Sequence, residues 1–169
     1  GVDYTAKYGF GATLLNFGVY GLFIVLYYTA IGATWNAATI GVTFCMVACF
    51  AKGSHPRNVW PIMVGYVAAS FLTKGVCALT GANFTLAINA QAIVIGLCFA
   101  NGLSPIAGKY GWPFGIAFGM IHYFLVTSVP LMHGAFCLYN GGFTAGLSCM
   151  LFMPVVQNFF KPLEERKAA

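Results

Sequence analysis

An all-α bundle of about six transmembrane segments is the fold this chain predicts, and three observations carry it. Six apolar stretches separated by brief polar breaks fill nearly all of the 169 residues. The composition is 60% hydrophobic and 7% charged, against about 25% charged residues in a water-soluble domain. The basic residues gather on alternate breaks. A span needs roughly 20 mainly apolar residues to cross about 30 Å of hydrocarbon. The stretches fall near residues 10–31, 35–51, 59–79, 84–101, 112–131 and 140–157. Residues 1–169 therefore read as a single transmembrane domain, with no room for a soluble catalytic one.

Six crossings put both termini and every second loop on one side. That side holds Lys7, Lys52, Arg57, Lys109, Lys161, Arg166 and Lys167, and the other holds Lys74 alone. By the positive-inside rule both termini are expected in the cytoplasm. The same placement explains the net charge of +5 without nucleic acid, because the basic residues never cluster with aromatic spacing. The first apolar run is too long for a secretory signal and lacks a cleavage pattern. The chain opens at Gly1 rather than a methionine, so a processed start or a longer parent protein is expected.

The first stretch, 22 residues from Phe10 to Ile31, spans the core with some tilt, at about 1.5 Å per residue. The second is shorter and opens with Thr34, Trp35, Asn36 and Thr39. The basic loop that follows, Lys52-Gly53-Ser54-His55-Pro56-Arg57-Asn58, either orients the chain and starts a helix at its proline or forms an anion-attracting mouth. Stretch three carries Lys74 in its last third. Stretch four opens with Asn83, Phe84 and Thr85 and then carries Asn89 and Gln91. Residues 101–111, with three glycines and a proline, read as a loop or as backbone re-entering the membrane in a protein-lined cavity. Stretch five carries Gly111, Gly115 and Gly119 four apart, then His122, Pro130 and His133. Stretch six opens with Tyr139, Asn140, Gly141, Gly142 and Thr144. The even stretches are thus short with polar starts, suited to helix N-caps and to helices that begin inside the protein. A loose repeat, Gly32 to Asn36 against Gly81 to Thr85 and Thr39 to Thr43 against Thr144 to Ser148, points the same way. Interrupted hydrophobic segments at corresponding positions mark the binding sites of transporters.

The glycine stripes read as helix–helix seams, since small residues let backbones approach in lipid. Trp60 and Trp112, close to Arg57 and Lys109, read as interfacial anchors, with Trp35 at the opposite interface. Cys45, Cys49, Cys77, Cys98, Cys137 and Cys149 form no C-x-x-C pair and read as small apolar fillers. The acids Asp3, Glu164 and Glu165 all lie near the termini, which disfavours metal-cation transport and carboxylate proton relays. His122 and His133 could relay a proton or make structural hydrogen bonds. Eleven residues apart on one helix, they cannot face each other across a haem. No nucleophile–base pair, metal cluster or phosphate loop appears, so neither an enzyme nor a cofactor is expected.

Three segments carry a resemblance: Ser54-His55-Pro56-Arg57-Asn58, the run from Pro105 to Trp112, and His133-Gly134 to Phe143. Over residues 34–157 the chain resembles the C-terminal half of a family of bacterial multispanning membrane proteins known as a domain of unknown function. The resemblance implies a bacterial inner-membrane protein and a missing N-terminal half. More distantly, the short polar-started helices are similar in architecture to urea-channel folds, which is weak ground for function. The expected function is a channel or facilitator for a small polar solute, neutral or anionic. Its path would be lined by Asn36, Thr39, Asn89, Gln91, His122, His133, Asn140 and Thr144. The alternative is a non-transporting scaffold subunit of a membrane complex. The expected partners are the lipid bilayer, the solute, and a homologous half, a second copy or a complex subunit. The faces with Gly115/Gly119 or Gly142/Gly146 are the expected seams of such an assembly.

Overall fold

A computed structural model of the chain describes residues 4–83, 87–132, 134 and 140–168. Every regular element among them is helical. A short α1 (Tyr4–Tyr8) meets α2 (Phe10–Ala30) at Gly9, whose φ of 83° turns the chain between them. α3 (Ala37–Val47) tightens into a 3₁₀ segment over Ala48–Lys52. α4 (Pro56–Thr80) starts at its proline, where no N–H is needed, and ends at Gly81 in the left-handed region. α5 (Gln91–Ala100) runs through a 3₁₀ turn at Asn101–Leu103 into α6 (Ser104–Tyr110). α7 (Trp112–Met132), α8 (Asn140–Phe159) and α9 (Leu163–Ala168) complete the chain.

Five helices are long and apolar enough to cross a membrane, and the segment Ala37–Lys52 is a shorter apolar sixth. The protein is an integral membrane helical bundle, and its exposed leucines, phenylalanines and valines on α2, α4 and α8 suit contact with lipid. Two boundaries differ from the sequence expectation. The fourth stretch becomes helical at Gln91 rather than near residue 84. Residues 101–110, expected as loop or re-entrant backbone, are helical and extend α5 into one apolar run, Gln91–Tyr110. The glycines do not stop the helix there because buried contacts of Leu103, Ile106 and Tyr110 hold it. Tertiary packing outweighs a propensity cost of about 1 kcal/mol per glycine. The break comes at Gly111, whose φ of 106° suits glycine and turns the chain from α6 into α7.

The closest-packed pair of the bundle is α4 and α7, which run parallel. Trp60 stacks on Trp112 near their starts, with ring centroids 6.4 Å apart. Further along, Gly65 lies against Gly119, and Tyr66 against His122 and Tyr123. A Cβ on Gly65 would come within 2.4 Å of the Ile116 carbonyl, and one on Gly119 within 2.5 Å of the Ile62 carbonyl. These are backbone atoms on both sides, so only glycine permits the approach. The expected seam at Gly115 and Gly119 therefore exists, but inside this chain, against Pro61, Ile62 and Gly65. It is not left over for an assembly. α5 and α6 lie at the centre, with 61% of their apolar window buried, whereas the windows of α2 and α8 are 17% buried and lie at the periphery.

Candidate functional site

The site residues expected from sequence fall into two clusters rather than converging on one point. The first joins the starts of α3 and α5. Asn36 caps α3, its Oδ1 accepting the Thr39 N–H at 2.9 Å, as an Asn at a helix start is suited to do. Its Nδ2 donates to Gln91 Oε1 at 2.7 Å. Gln91 in turn donates through Nε2 to Thr39 Oγ1 at 3.3 Å, and Thr39 Oγ1 donates to the Thr34 carbonyl at 2.7 Å. Asn89 stands beside them, donating to the Gly32 carbonyl at 3.2 Å. Thr39 is fully buried, Gln91 half-buried, and Asn36 and Asn89 are exposed. The result is a ledge of amides.

The height of this ledge follows from α4. Gly96 of α5 lies beside the Tyr66 hydroxyl and Val126. Gln91 is five residues nearer the start of antiparallel α5, or about 7.5 Å at the helical rise. α4 continues past Tyr66 to Thr80, 80 − 66 = 14 residues or about 21 Å. The ledge therefore stops well short of the Thr80 end of α4. Trp35, whose ring lies 6.3 Å from Tyr28 in an edge contact, belongs to this level.

The second cluster centres on His122, which is fully buried halfway along α7. Nε2 lies 2.9 Å from the Gly141 carbonyl and 3.1 Å from Thr144 Oγ1. A carbonyl can only accept, so Nε2 carries the proton, and Nδ1 accepts from the Tyr66 hydroxyl. With that tautomer both nitrogens of the neutral imidazole are occupied. Thr144 and Ser148 are also fully buried, each hydroxyl turned back to a carbonyl of α8. Asn140 donates to the Val126 carbonyl at 3.0 Å. Because Asn140 and Gly141 lie level with Val126 and His122, α8 begins inside the bundle, as its sequence suggested. His133 lies outside the described residues, as do Phe84, Thr85, Cys137 and Tyr139.

Sequence reasoning did not single out Tyr66, which completes the His122 cluster, or Tyr28, whose hydroxyl reaches the Val94 carbonyl at 3.2 Å. It also missed the pairing of Tyr20 with Asn101 Oδ1 at 2.8 Å. One partial signal was available for Tyr66. The dipeptides Trp60-Pro61 and Trp112-Pro113 repeat near the starts of α4 and α7, which run parallel, but this alignment sets Tyr66 level with Phe118, about one turn short of the His122 it meets. The cysteines described (45, 49, 77, 98 and 149) are free, and no cluster of metal-ligating residues occurs among the described residues.

Two of the segments that carried the family resemblance also meet in space. His55, Arg57 and Asn58 face Tyr110, Gly111 and Trp112 across one cleft. Asn58 shapes the loop, its side chain accepting from the His55 N–H at 3.0 Å and donating to the Gly53 carbonyl at 2.9 Å. Burial and then the neighbouring Arg57 charge hold the His55 imidazole below its ordinary range.

Comparison with curated proteins and with solved structures returned no match for the chain. A family model does match, and it reaches beyond the stretch in which the resemblance was read, covering residues 1–158. The chain accordingly belongs to the family described as protein of unknown function (DUF1576).

Proposed function

We propose that this chain is the C-terminal half, or one copy, of a bacterial inner-membrane channel or facilitator for a small polar solute, neutral or anionic, with both termini in the cytoplasm. The amide ledge carries this reading. Asn36 and Asn89 are exposed at a level short of the Thr80 end of α4. Asn36 uses one N–H and one lone pair within the ledge and Asn89 one N–H, so each amide keeps further capacity. Amide groups left unpaired in hydrocarbon are costly, up to about 4–8 kcal/mol for a whole amide on a cyclohexane scale. Their exposed edges therefore call for a polar surface in front of them, either a wet recess or a second polar half. Helix starts there favour anions and carbonyl oxygens through their free N–H groups. Asn36, Gln91 and Asn89 add neutral donors and acceptors suited to an amide-like solute.

The ledge is open on one side, which supports an assembly that closes it. The α4–α7 glycine seam is already used within the chain. The face of α8 at Gly146, where a Cβ would meet nothing within 4 Å, is left as the contact. Reconstitution into liposomes with a flux screen across urea-like, anionic and amino-acid solutes tests the reading. Flux that falls in Asn36→Ala and Gln91→Ala while the protein stays folded is expected. Folded protein with no flux of any solute class overturns it. A scaffold role is the second reading, and the His122 cluster favours it, because protein alone satisfies every group there. Stable recovery of a membrane complex in place of flux would establish that alternative.

A further inference from the structure

At the basic end of the bundle, a cleft of about 980 Å³ opens between the start of α4, the α6–α7 joint and α9. Arg57 reaches it from the first turn of α4, and Arg166 and Lys167 from α9. Glu164 is the one acid in its lining, leaving 3 − 1 = +2 from the permanently charged side chains. Arg166 is partly engaged, its Nη2 donating to the Tyr110 carbonyl at 2.6 Å, which pins α9 to the joint. No acceptor among the described residues pairs with the Arg57 guanidinium or the Lys167 ammonium. α4 and α7 run parallel, so the positive ends of their dipoles lie side by side and add rather than cancel. The stacked Trp60–Trp112 pair forms one wall, and tryptophan favours the level where lipid meets water.

We propose that this cleft binds a phosphate group, presented either by an anionic lipid headgroup at the membrane surface or by a small phosphate-bearing molecule in solution. A guanidinium fork with a second cation opposite matches phosphate oxygens, and basic pockets between spans at the membrane surface hold phosphate headgroups. Orientation of the chain accounts for the charges less well. A topogenic charge serves anywhere on its loop, as Lys52 does outside the cleft, whereas these cations come from distant parts of the sequence to face one space. The cleft lies at the end of α4 opposite the amide ledge, so this site and the transport reading stand or fall separately.

The test uses the purified chain in detergent and two probes. Native mass spectrometry compares retention of dioleoylphosphatidylglycerol with dioleoylphosphatidylcholine, and tryptophan emission is titrated with pyrophosphate. Preference for the anionic lipid, a saturable emission change, or both is expected. Arg57→Gln and Lys167→Gln should each weaken the positive arm about fivefold, in line with the worth of one basic residue at such a surface. Lys52→Gln, the same charge loss outside the cleft, should leave binding unchanged. A lipid response alone assigns a headgroup, and a pyrophosphate response alone assigns a soluble ligand. No lipid preference together with flat emission overturns the proposal, as does an equal loss in Lys52→Gln. If Arg57→Gln fails to insert, Lys167→Gln in the tail carries the test by itself.

Discussion

The amide ledge and the His122 cluster are built from the same kinds of residue at the same kind of place, yet one is open and the other sealed. Asn36 and Asn140 each stand at the start of a helix. Asn36 keeps an exposed edge, while the residues four and eight along from Asn140, Thr144 and Ser148, are fully buried. The difference lies in what packs alongside. α8 starts against α7, and α7 is drawn onto α4 by the glycines at 65, 115 and 119, so Tyr66 can close over His122. Among the described residues no such glycine-lined approach covers the ledge, where the first residues of α3 and α5 meet. A polar helix start is therefore not by itself a binding site. On the proposed reading it becomes one where no neighbouring helix is glycine-lined closely enough to fill the space.

Breaking the seal should have the largest effect. Gly119→Leu or Gly65→Leu forces a side chain into backbone that cannot retreat and should cost about 3 kcal/mol or more, the upper range for overpacking. Thermal unfolding in detergent should show loss of the cooperative transition. A stable Gly119→Leu protein would mean that the α4–α7 contact is not what closes the His122 cluster.

Removing one partner inside the sealed cluster should come next. Tyr66→Phe leaves His122 Nδ1 buried without a donor and should cost about 1–3 kcal/mol, the penalty for an unsatisfied buried polar group. His122→Gln, which can still donate to the Gly141 carbonyl, should cost less than His122→Leu. An equal loss from both would show that the ring is held by packing rather than by its hydrogen bonds.

At the ledge the expected stability change is smaller and the functional change larger. Asn36→Ala removes a cap worth about 1 kcal/mol, and Asn36→Asp should restore most of that through the same Thr39 N–H. Flux should instead follow the lost amide and fall in both variants. If Tyr66→Phe changes solute selectivity and Asn36→Ala does not, the roles of the two clusters are reversed.

The smallest effect concerns pH. His122 is fully buried within a membrane-spanning helix with both ring nitrogens bonded, so between pH 5.5 and 7.5 the imidazole to watch among the described residues is the partly exposed His55. Its pKa is depressed below the ordinary 6.5 by burial and then by Arg57. The unfolded chain therefore binds the proton first. The stability His55 contributes is present above about 6.5 and is lost as pH falls toward its folded value. Melting temperature should decline slightly on acidification in the wild type and less in His55→Asn. A rise on acidification would contradict the assigned direction.

Composition and charge placement alone determined that this chain is an α-helical membrane protein, because lipid leaves the backbone few ways to satisfy its hydrogen bonds. Local chemistry marked the Asn36 cap, the proline start of α4 and the inward start of α8 at Asn140. The continuation of α5 through residues 101–110 was not legible, since its glycines and proline read as loop and only burial against α4 and α7 offsets them. Nor was the division between sealed and open polar groups. His122, Thr144, Asn36 and Gln91 read alike in sequence. What separates them is how near another helix can come, and that depends on glycines and tyrosines far along the chain that only the tertiary structure brings into register.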